Sequence, residues 1–168
     1  NNRLVFPIHN RYGSVVGYSG RITYDAEGVA KYVNSNENII YTKGETLYNY
    51  HRAKDFAKRQ AEVYLVEGVM DVVAFYQADV INSVSSLGTA LTQNQAGQIR
   101  SLSPKVVIAY DGDNAGQMAT AKSISILLDA NLTVEVLSGF KDLDPDDFLK
   151  STNKATFNKA LEKRLSWM

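Results

Sequence analysis

Lys105-Val106-Val107-Ile108-Ala109-Tyr110-Asp111-Gly112-Asp113-Asn114-Ala115-Gly116 reads as an apolar strand that runs into two acids and then into a helix. Lys105 to Tyr110 is the most apolar of the strand candidates in the chain. Asp111-Gly112-Asp113 interrupts it, and Gly112 permits a sharp exit and close approach of a ligand to the backbone. Asp113 precedes a helical pattern over about residues 115–130, so its plain structural role is an N-cap. Similar grammar holds on both sides. Val63 to Val66, Val80 to Val84 and Thr133 to Leu137 are further strand candidates, with helices expected near Met70 to Gln77 and Thr92 to Leu102. Strand and helix alternating from residue 61 onward argue for an α/β fold, a mainly parallel sheet flanked by helices. Sites in such sheets gather beyond the carboxyl ends of the strands.

Three acidic clusters fall at those ends: Glu67 with Asp71, Asp111 with Asp113, and Asp142, Asp144, Asp146 and Asp147. A parallel sheet brings all three to one edge, where crowded carboxylates repel and need cations or basic partners. Hard oxygen donors select Mg²⁺, Mn²⁺ or Ca²⁺, and a paired-cation site suits phosphoryl transfer. Taken singly, each acid is more simply structural, with Asp144 or Asp146 capping a turn or helix beside Pro145. A receiver-type phosphoacceptor domain also pairs acids at strand ends and sets a Thr after another strand, here Thr89. It needs neither Glu67 nor the late Asp cluster.

Residues 1–60 read as β-rich. Leu4 to Ile8, Ser14 to Tyr18 and Arg21 to Tyr24 are punctuated by turn signals at Asn10-Arg11-Tyr12-Gly13 and Asp25-Ala26-Glu27-Gly28, which suggests an antiparallel meander. Leu47 to Arg59 has helical spacing, and Ala155 to Arg164 reads as a short amphipathic helix. The 168 residues carry no net charge, but residues 1–60 have 9 Lys/Arg against 5 Asp/Glu, and residues 61–168 have 9 against 13. One half suits phosphates and the other metal ions. The absence of cysteine excludes a disulfide scaffold, a thiolate zinc site and a Cys nucleophile within these residues. No apolar run approaches the roughly 20 residues that span a bilayer. His9 and His51 have no metal-ligand spacing. With no initiator Met, the chain is expected to be part of a longer polypeptide.

Leu65-Val66-Glu67-Gly68-Val69-Met70-Asp71-Val72, Ser86-Leu87-Gly88-Thr89-Ala90-Leu91-Thr92, Ala109 to Gly116 and Asp144-Pro145-Asp146 resemble the bacterial replicative DNA primase of the DnaG type, whose core contains a TOPRIM metal-binding fold. The upstream stretches Arg3 to Ile8, Gly17 to Arg21, Lys31-Tyr32-Val33-Asn34-Ser35 and Tyr41 to Asn49 look like the primase signatures that precede TOPRIM. Val69 departs from the family, which usually has an aromatic there. The resemblance divides the chain into a basic β-rich subdomain (1–60), a TOPRIM catalytic domain (61–150) and the start of a C-terminal helical subdomain (151–168).

The resemblance implies synthesis of short RNA primers on a single-stranded DNA template from ribonucleoside triphosphates. It implies two or more Mg²⁺ or Mn²⁺ ions held by Glu67, Asp111, Asp113, Asp144 and Asp146, with Asp71 auxiliary; Glu67 also acts as general acid or base. Asp142 is either a ligand or a solvated loop charge. Arg21, Lys31, Tyr32, Asn34 and Lys43 are implied contacts to nucleotide and DNA, with Arg3 and Arg11 weaker candidates. Tyr18, Tyr32, Tyr41, Tyr48 and Tyr50 sit among basic residues and are candidates for base stacking, or else for core. The implied setting is a bacterial cytoplasm, in a bacterial or phage-encoded protein, with a replicative helicase engaged through a module outside these residues and no membrane partner. The chain itself is expected to be monomeric. A TOPRIM nuclease and a non-catalytic cation-binding module are the rival readings.

Overall fold

The computed structural model describes residues 2–24, 28–140 and 143–167. Three strands form a small antiparallel sheet in the order β1 (Arg3–His9), β2 (Val15–Ile22), β3 (Tyr32–Asn34). The tight turn between β1 and β2 rests on Asn10, whose Oδ1 accepts the N–H groups of Tyr12 and Ser14, and on Gly13 at φ 91°. Five strands form the larger sheet: β4 (Val63–Val66), β5 (Ser83–Ser85), β6 (Lys105–Ala109), β7 (Thr133–Leu137) and β8 (Arg164–Trp167), in the order β5-β4-β6-β7-β8. The first four are parallel and β8 runs antiparallel to β7. The helices are α1 (Tyr50–Gln60), α2 (Val69–Gln77), α3 (Gln93–Leu102), α4 (Asn114–Asp129), α5 (Pro145–Ser151) and α6 (Lys154–Ala160).

The central strands are apolar on both faces because both are covered. Tyr64, Val66, Val107 and Ala109 pack with Phe75, Phe140 and Phe157 on one side. The alternate residues Val63, Leu65, Val106 and Ile108 pack with Ala53, Ala57, Ile99 and Leu127 on the other. This is the period-2 alternation of strands applied to a two-sided core. Ile8 and Val16 of the small sheet, with Tyr41 and Tyr48, belong to the first of these clusters. Hydrogen bonds also join the basic region to the larger sheet. Tyr48 bridges Ser85 through its backbone, Asn49 Nδ2 donates to Ser83 O (2.9 Å), and the fully buried Gln95 donates to Lys43 O (3.0 Å) and Thr46 O (2.9 Å).

Four boundaries depart from the sequence expectation. The runs Ser14 to Tyr18 and Arg21 to Tyr24 are one strand, Val15–Ile22, held continuous by its pairing to β1, and the third strand of the meander is Tyr32–Asn34. The helix expected from Leu47 begins at Tyr50, since Asn49 takes φ 67°, outside the helical region, and Leu47 is buried before the turn. The strand expected over Val80 to Val84 is Ser83–Ser85. Asp79, at φ 63°, closes α2, and Val80 and Ile81 are spent in the connection. The tail helix expected over Ala155 to Arg164 ends at Ala160, and Arg164–Trp167 is instead an edge strand of the larger sheet. The physical reason is a four-membered ion-pair ring. Arg164 and Lys105 each contact both Glu62 and Glu135, which draws the tail onto β7. Among the described residues, no helix is long and apolar enough to cross a membrane.

Candidate functional site

The carboxyl ends of β4 and β6 lie side by side, with Val66 opposite Ala109. Glu67 and Asp111 therefore leave the sheet next to each other, and the Asp111 N–H donates to Glu67 Oε1 (3.1 Å). The other acids are held by helix starts. Asp71 sits in the first turn of α2, where its Oδ2 accepts the Gly68 N–H (2.9 Å). Asp113 caps α4 through the Gly116 N–H (2.7 Å), and Asp144 caps α5 through the Asp147 N–H (2.7 Å). Asp146 pairs with Lys150 (2.6 Å). Gly116 is required by packing, because a Cβ there would lie 2.2 Å from the Asp111 carbonyl oxygen and 3.0 Å from Glu67 Oε1. Gly88, at φ 71°, turns the loop after β5 so that its N–H reaches the Glu67 carbonyl (3.0 Å).

These acids form one wall of a cavity of about 440 Å³. Glu67, Asp71, Asp111, Asp144, Asp146 and Asp147 line it on one side; Ser19, Arg21, Lys31, Tyr32 and Asn34 line it on the other. The second wall is one face of the small sheet, since Ser19 pairs with Asn34 and Arg21 with Tyr32 across β2 and β3. Asn34 Nδ2 reaches the Leu87 carbonyl across the cavity floor (3.4 Å).

Burial drives the carboxyl groups upward, and their neighbours' charges add to it. Asp71 is pushed to about 7 by burial, against the opposing Gly68 N–H, with Asp111, Asp144 and Glu67 contributing repulsion. Asp111 is raised to about 6 by burial and then by Glu67, Asp144 and Asp113, while Lys31 pulls it down. Glu67 is raised for the same reasons, partly offset by the Asp111 N–H. Burial holds Tyr32 at about 12, so its hydroxyl keeps its proton at neutral pH. Three buried polar atoms on this cavity have no partner among the described residues: Asp111 Oδ1, Arg21 Nε and Asn34 Oδ1. Such atoms are rare in native structures and call for an external partner. An oxygen without a donor amid raised carboxylates fits a hard divalent cation, and a guanidinium N–H without an acceptor fits an anion. The acids ring the cavity without converging. Among the described residues, no three His, Asp or Glu side chains are grouped closely enough to hold an ion as they stand. Mutual repulsion favours that spread.

The structure thus brings together Glu67, Asp71, Asp111, Asp144 and Asp146 with Arg21, Lys31, Tyr32 and Asn34. Two expected residues stand apart from the cavity lining. Asp113 is turned into its cap on α4, though near enough to raise Glu67. Lys43 lies in the 3-10 turn Lys43–Glu45, behind which Gln95 packs. Asp142 lies outside the described residues. Arg3 spends its guanidinium on backbone carbonyls, and Arg11 stacks on Tyr12 away from this cavity, in a second pocket with His9. Of the tyrosines considered for stacking, Tyr41, Tyr48 and Tyr50 are core, Tyr18 is exposed and Tyr32 lines the cavity. His9 and His51 stack on one another, ring centroids 4.4 Å apart. Ser19 and the Leu87-Gly88 turn join the lining without a site signal of their own in the sequence, beyond the period-2 spacing of Ser19 from Arg21, and Asp147 joins it as a member of the late acidic cluster.

Residues 1–54 match the family model described as DNA primase catalytic core, N-terminal domain, and residues 64–149 match the one described as Toprim-like. The DNA primase of Lactococcus lactis is 40% identical over 151 residues, covering 89% of this chain and 23% of its own length. The chain spans about a quarter of the length of the curated relatives it matches. Among solved structures, the Aquifex aeolicus primase (zinc-binding and RNA polymerase domains) superposes with a TM-score of 0.91 at 35% identity, over 99% of this chain and 41% of that one. A DnaG primase catalytic domain bound to single-stranded DNA gives 0.86 at 30% identity, over 98% and 52%. With the strand order, the acidic edge and both family models in register, the chain belongs to the Toprim-like family and, within it, to the bacterial DnaG-type primase catalytic cores.

Proposed function

We propose that this chain supplies the catalytic core for divalent-metal-dependent nucleotidyl transfer, which joins ribonucleoside triphosphates into short RNA primers on a single-stranded DNA template, and that by itself it is weakly active or inactive. The observation that carries the reading is the cavity itself. A carboxylate wall faces a basic and polar wall, and partnerless Asp111 Oδ1, Arg21 Nε and Asn34 Oδ1 lie on both sides of it. Solved relatives bound to DNA support the template as partner.

Glu67, Asp71, Asp111, Asp144 and Asp146 would hold two or more Mg²⁺ or Mn²⁺ ions, with Asp113 joining if its cap on α4 loosens. Such ions neutralise a triphosphate and polarise the attacking and leaving oxygens of an in-line displacement. The chain's own groups supply the rest. Arg21 offers a planar fork to phosphate oxygens, and Lys31 offers a point charge. The protonated Tyr32 hydroxyl and the Asn34 amide orient the nucleotide by hydrogen bonds. Glu67, fixed at Oε1 by the Asp111 N–H, would take the proton of the attacking 3′-hydroxyl as its oxygen bonds to the α-phosphorus and the bond to the departing pyrophosphate breaks. Lys43, off the cavity, meets the template or primer backbone. In this reading residues 1–60 grip nucleic acid and residues 61–150 carry the chemistry. The protein works as a monomer in a bacterial cytoplasm, and a module outside these residues engages the replicative helicase.

The test is calorimetric Mn²⁺ titration of this chain and its Asp111→Asn variant, followed by a primer-synthesis assay on the longer protein with the same substitution. Saturable binding weakened at least about tenfold in the variant (about 1.4 kcal/mol), with primer synthesis lost, is the expected result. Equal Mn²⁺ affinity in both proteins would remove Asp111 from the ligand set and this reading with it.

A further inference from the structure

We infer that Arg3 is a positioning residue, whose guanidinium clamps the backbone of Ala30 and Lys31 against β2 and so sets the Lys31 ammonium on the cavity wall. This rests on the reading of Lys31 as a phosphate contact. One guanidinium nitrogen of Arg3 donates to Gly20 O (3.0 Å) and Lys31 O (3.3 Å); the other donates to Ala30 O (2.8 Å). The Ile22 N–H donates to the same Lys31 carbonyl (3.0 Å). The approach to β3 is thereby tied to β2 just where the chain delivers Lys31 and Tyr32 to the cavity.

Gly20 keeps the path of the arginine stem clear. A Cβ there would lie 3.2 Å from Arg3 Cδ. Only a planar fork fits this task, since it reaches three carbonyls that diverge around it, whereas an ammonium offers one point of charge. Lys31 needs the help. Its side chain is long and its backbone lies in an exposed bend, so an unanchored ammonium loses more freedom on meeting a phosphate. Its field already reaches the opposite wall, where it opposes the carboxylates around Asp111.

The experiment compares wild type, Arg3→Ala, Arg3→Lys, Lys31→Ala and the Arg3→Ala/Lys31→Ala double variant. Calorimetry measures affinity for Mn²⁺ alone and for a non-hydrolysable ATP analogue with Mn²⁺; hydrogen exchange is followed over residues 29–32. Positioning predicts that Arg3→Ala and Arg3→Lys each weaken the analogue by at least about tenfold, the scale of a lost charge-assisted hydrogen bond. Mn²⁺ affinity stays within about twofold, exchange over 29–32 accelerates, and the double variant binds no worse than Lys31→Ala alone. Full rescue by Arg3→Lys, or additive losses in the double variant, would mean that Arg3 meets phosphate itself and would overturn the inference. If wild type binds no analogue, the nucleotide reading fails separately. Exchange then still decides the clamp, and unchanged exchange in both Arg3 variants would overturn it.

Discussion

Replacing Gly116 with alanine tests whether α4 presses on the acid-bearing turn after β6. The added Cβ would lie 2.2 Å from the Asp111 carbonyl oxygen, 2.9 Å from its carbon and 3.0 Å from Glu67 Oε1. Opening the first contact from 2.2 Å to the 3.4 Å at which ordinary van der Waals contact begins moves the start of α4 away from the end of β6 by more than 1 Å. Backbone lies on both sides of the clash, so no side chain can swing away to relieve it. Overpacking of this kind costs about 1–3 kcal/mol. At about 2–4 °C per kcal/mol for a chain of this size, a mid-range cost lowers Tm by about 6 °C. The same shift pulls the Gly116 N–H from Asp113 Oδ1 and displaces the Asp111 carboxylate. A 1 Å misplacement at a reacting centre is worth on the order of 10²-fold in rate. The assays are thermal denaturation, Mn²⁺ titration and primer synthesis in the longer protein. Gly97→Ala is the control. Gly97 is exposed inside α3 with nothing within 4 Å of the new Cβ, so the identical chemical change there stabilises by about 0.5–1 kcal/mol. A Gly116→Ala variant with wild-type Tm and wild-type Mn²⁺ affinity would refute the packing account.

Asp111→Asn should raise Tm in the presence of a chelator, because it removes a buried charge with an orphaned oxygen, and should abolish the further rise that Mn²⁺ produces in wild type; a lowered Tm in chelator would contradict this. Without divalent ions, stability should fall as pH rises from about 4 to about 7. Asp71 and Asp111 hold their protons up to about 7 and about 6 in the folded chain, against an ordinary 3.8, so the folded state binds more protons across that window. Urea midpoints between pH 4.5 and 8 measure the slope, and Asp71→Asn should flatten it. Arg164→Ala should cost about 1–3 kcal/mol, since it strips a charged donor from Glu62 (2.6 Å) and from the Tyr64 hydroxyl (2.5 Å). Faster hydrogen exchange in β7 with α2 unaffected is its signature, and uniform acceleration would argue against a local role.

The larger sheet and its acidic edge were legible because their signals are local. Apolar runs such as Lys105–Ala109 end at acids, and the crossover rule then sends every such end to one edge. The basic wall was legible only through resemblance, since nothing in composition distinguishes Lys31 from a solvated lysine. What stayed hidden depends on distant partners. Arg164–Trp167 reads as a helix end until Glu62 and Glu135, 102 and 29 residues away, claim Arg164. Arg3 looks like a free phosphate ligand until the carbonyls of Gly20, Ala30 and Lys31 fold around it. Lys43 carries the right motif, yet the 3-10 turn and Gln95 set it off the cavity. Asp113 and Asp144 show that one carboxylate can serve both readings, as a cap now and as a candidate ligand by position.

The seam between the small sheet and the larger one has a kinetic corollary. Ile8, Val16, Tyr41 and Tyr48 share a core with Phe75 and Phe140, while Asn49 and Gln95 pin the seam with buried amide bonds. Among the described residues, one continuous core therefore joins the two walls of the cavity. On the proposed function, capture of a polyanion there needs no closing motion between the walls. Its on-rate is set by diffusion in the field of the basic wall, and should fall steeply with added salt while the dissociation rate responds mainly to the contacts made inside.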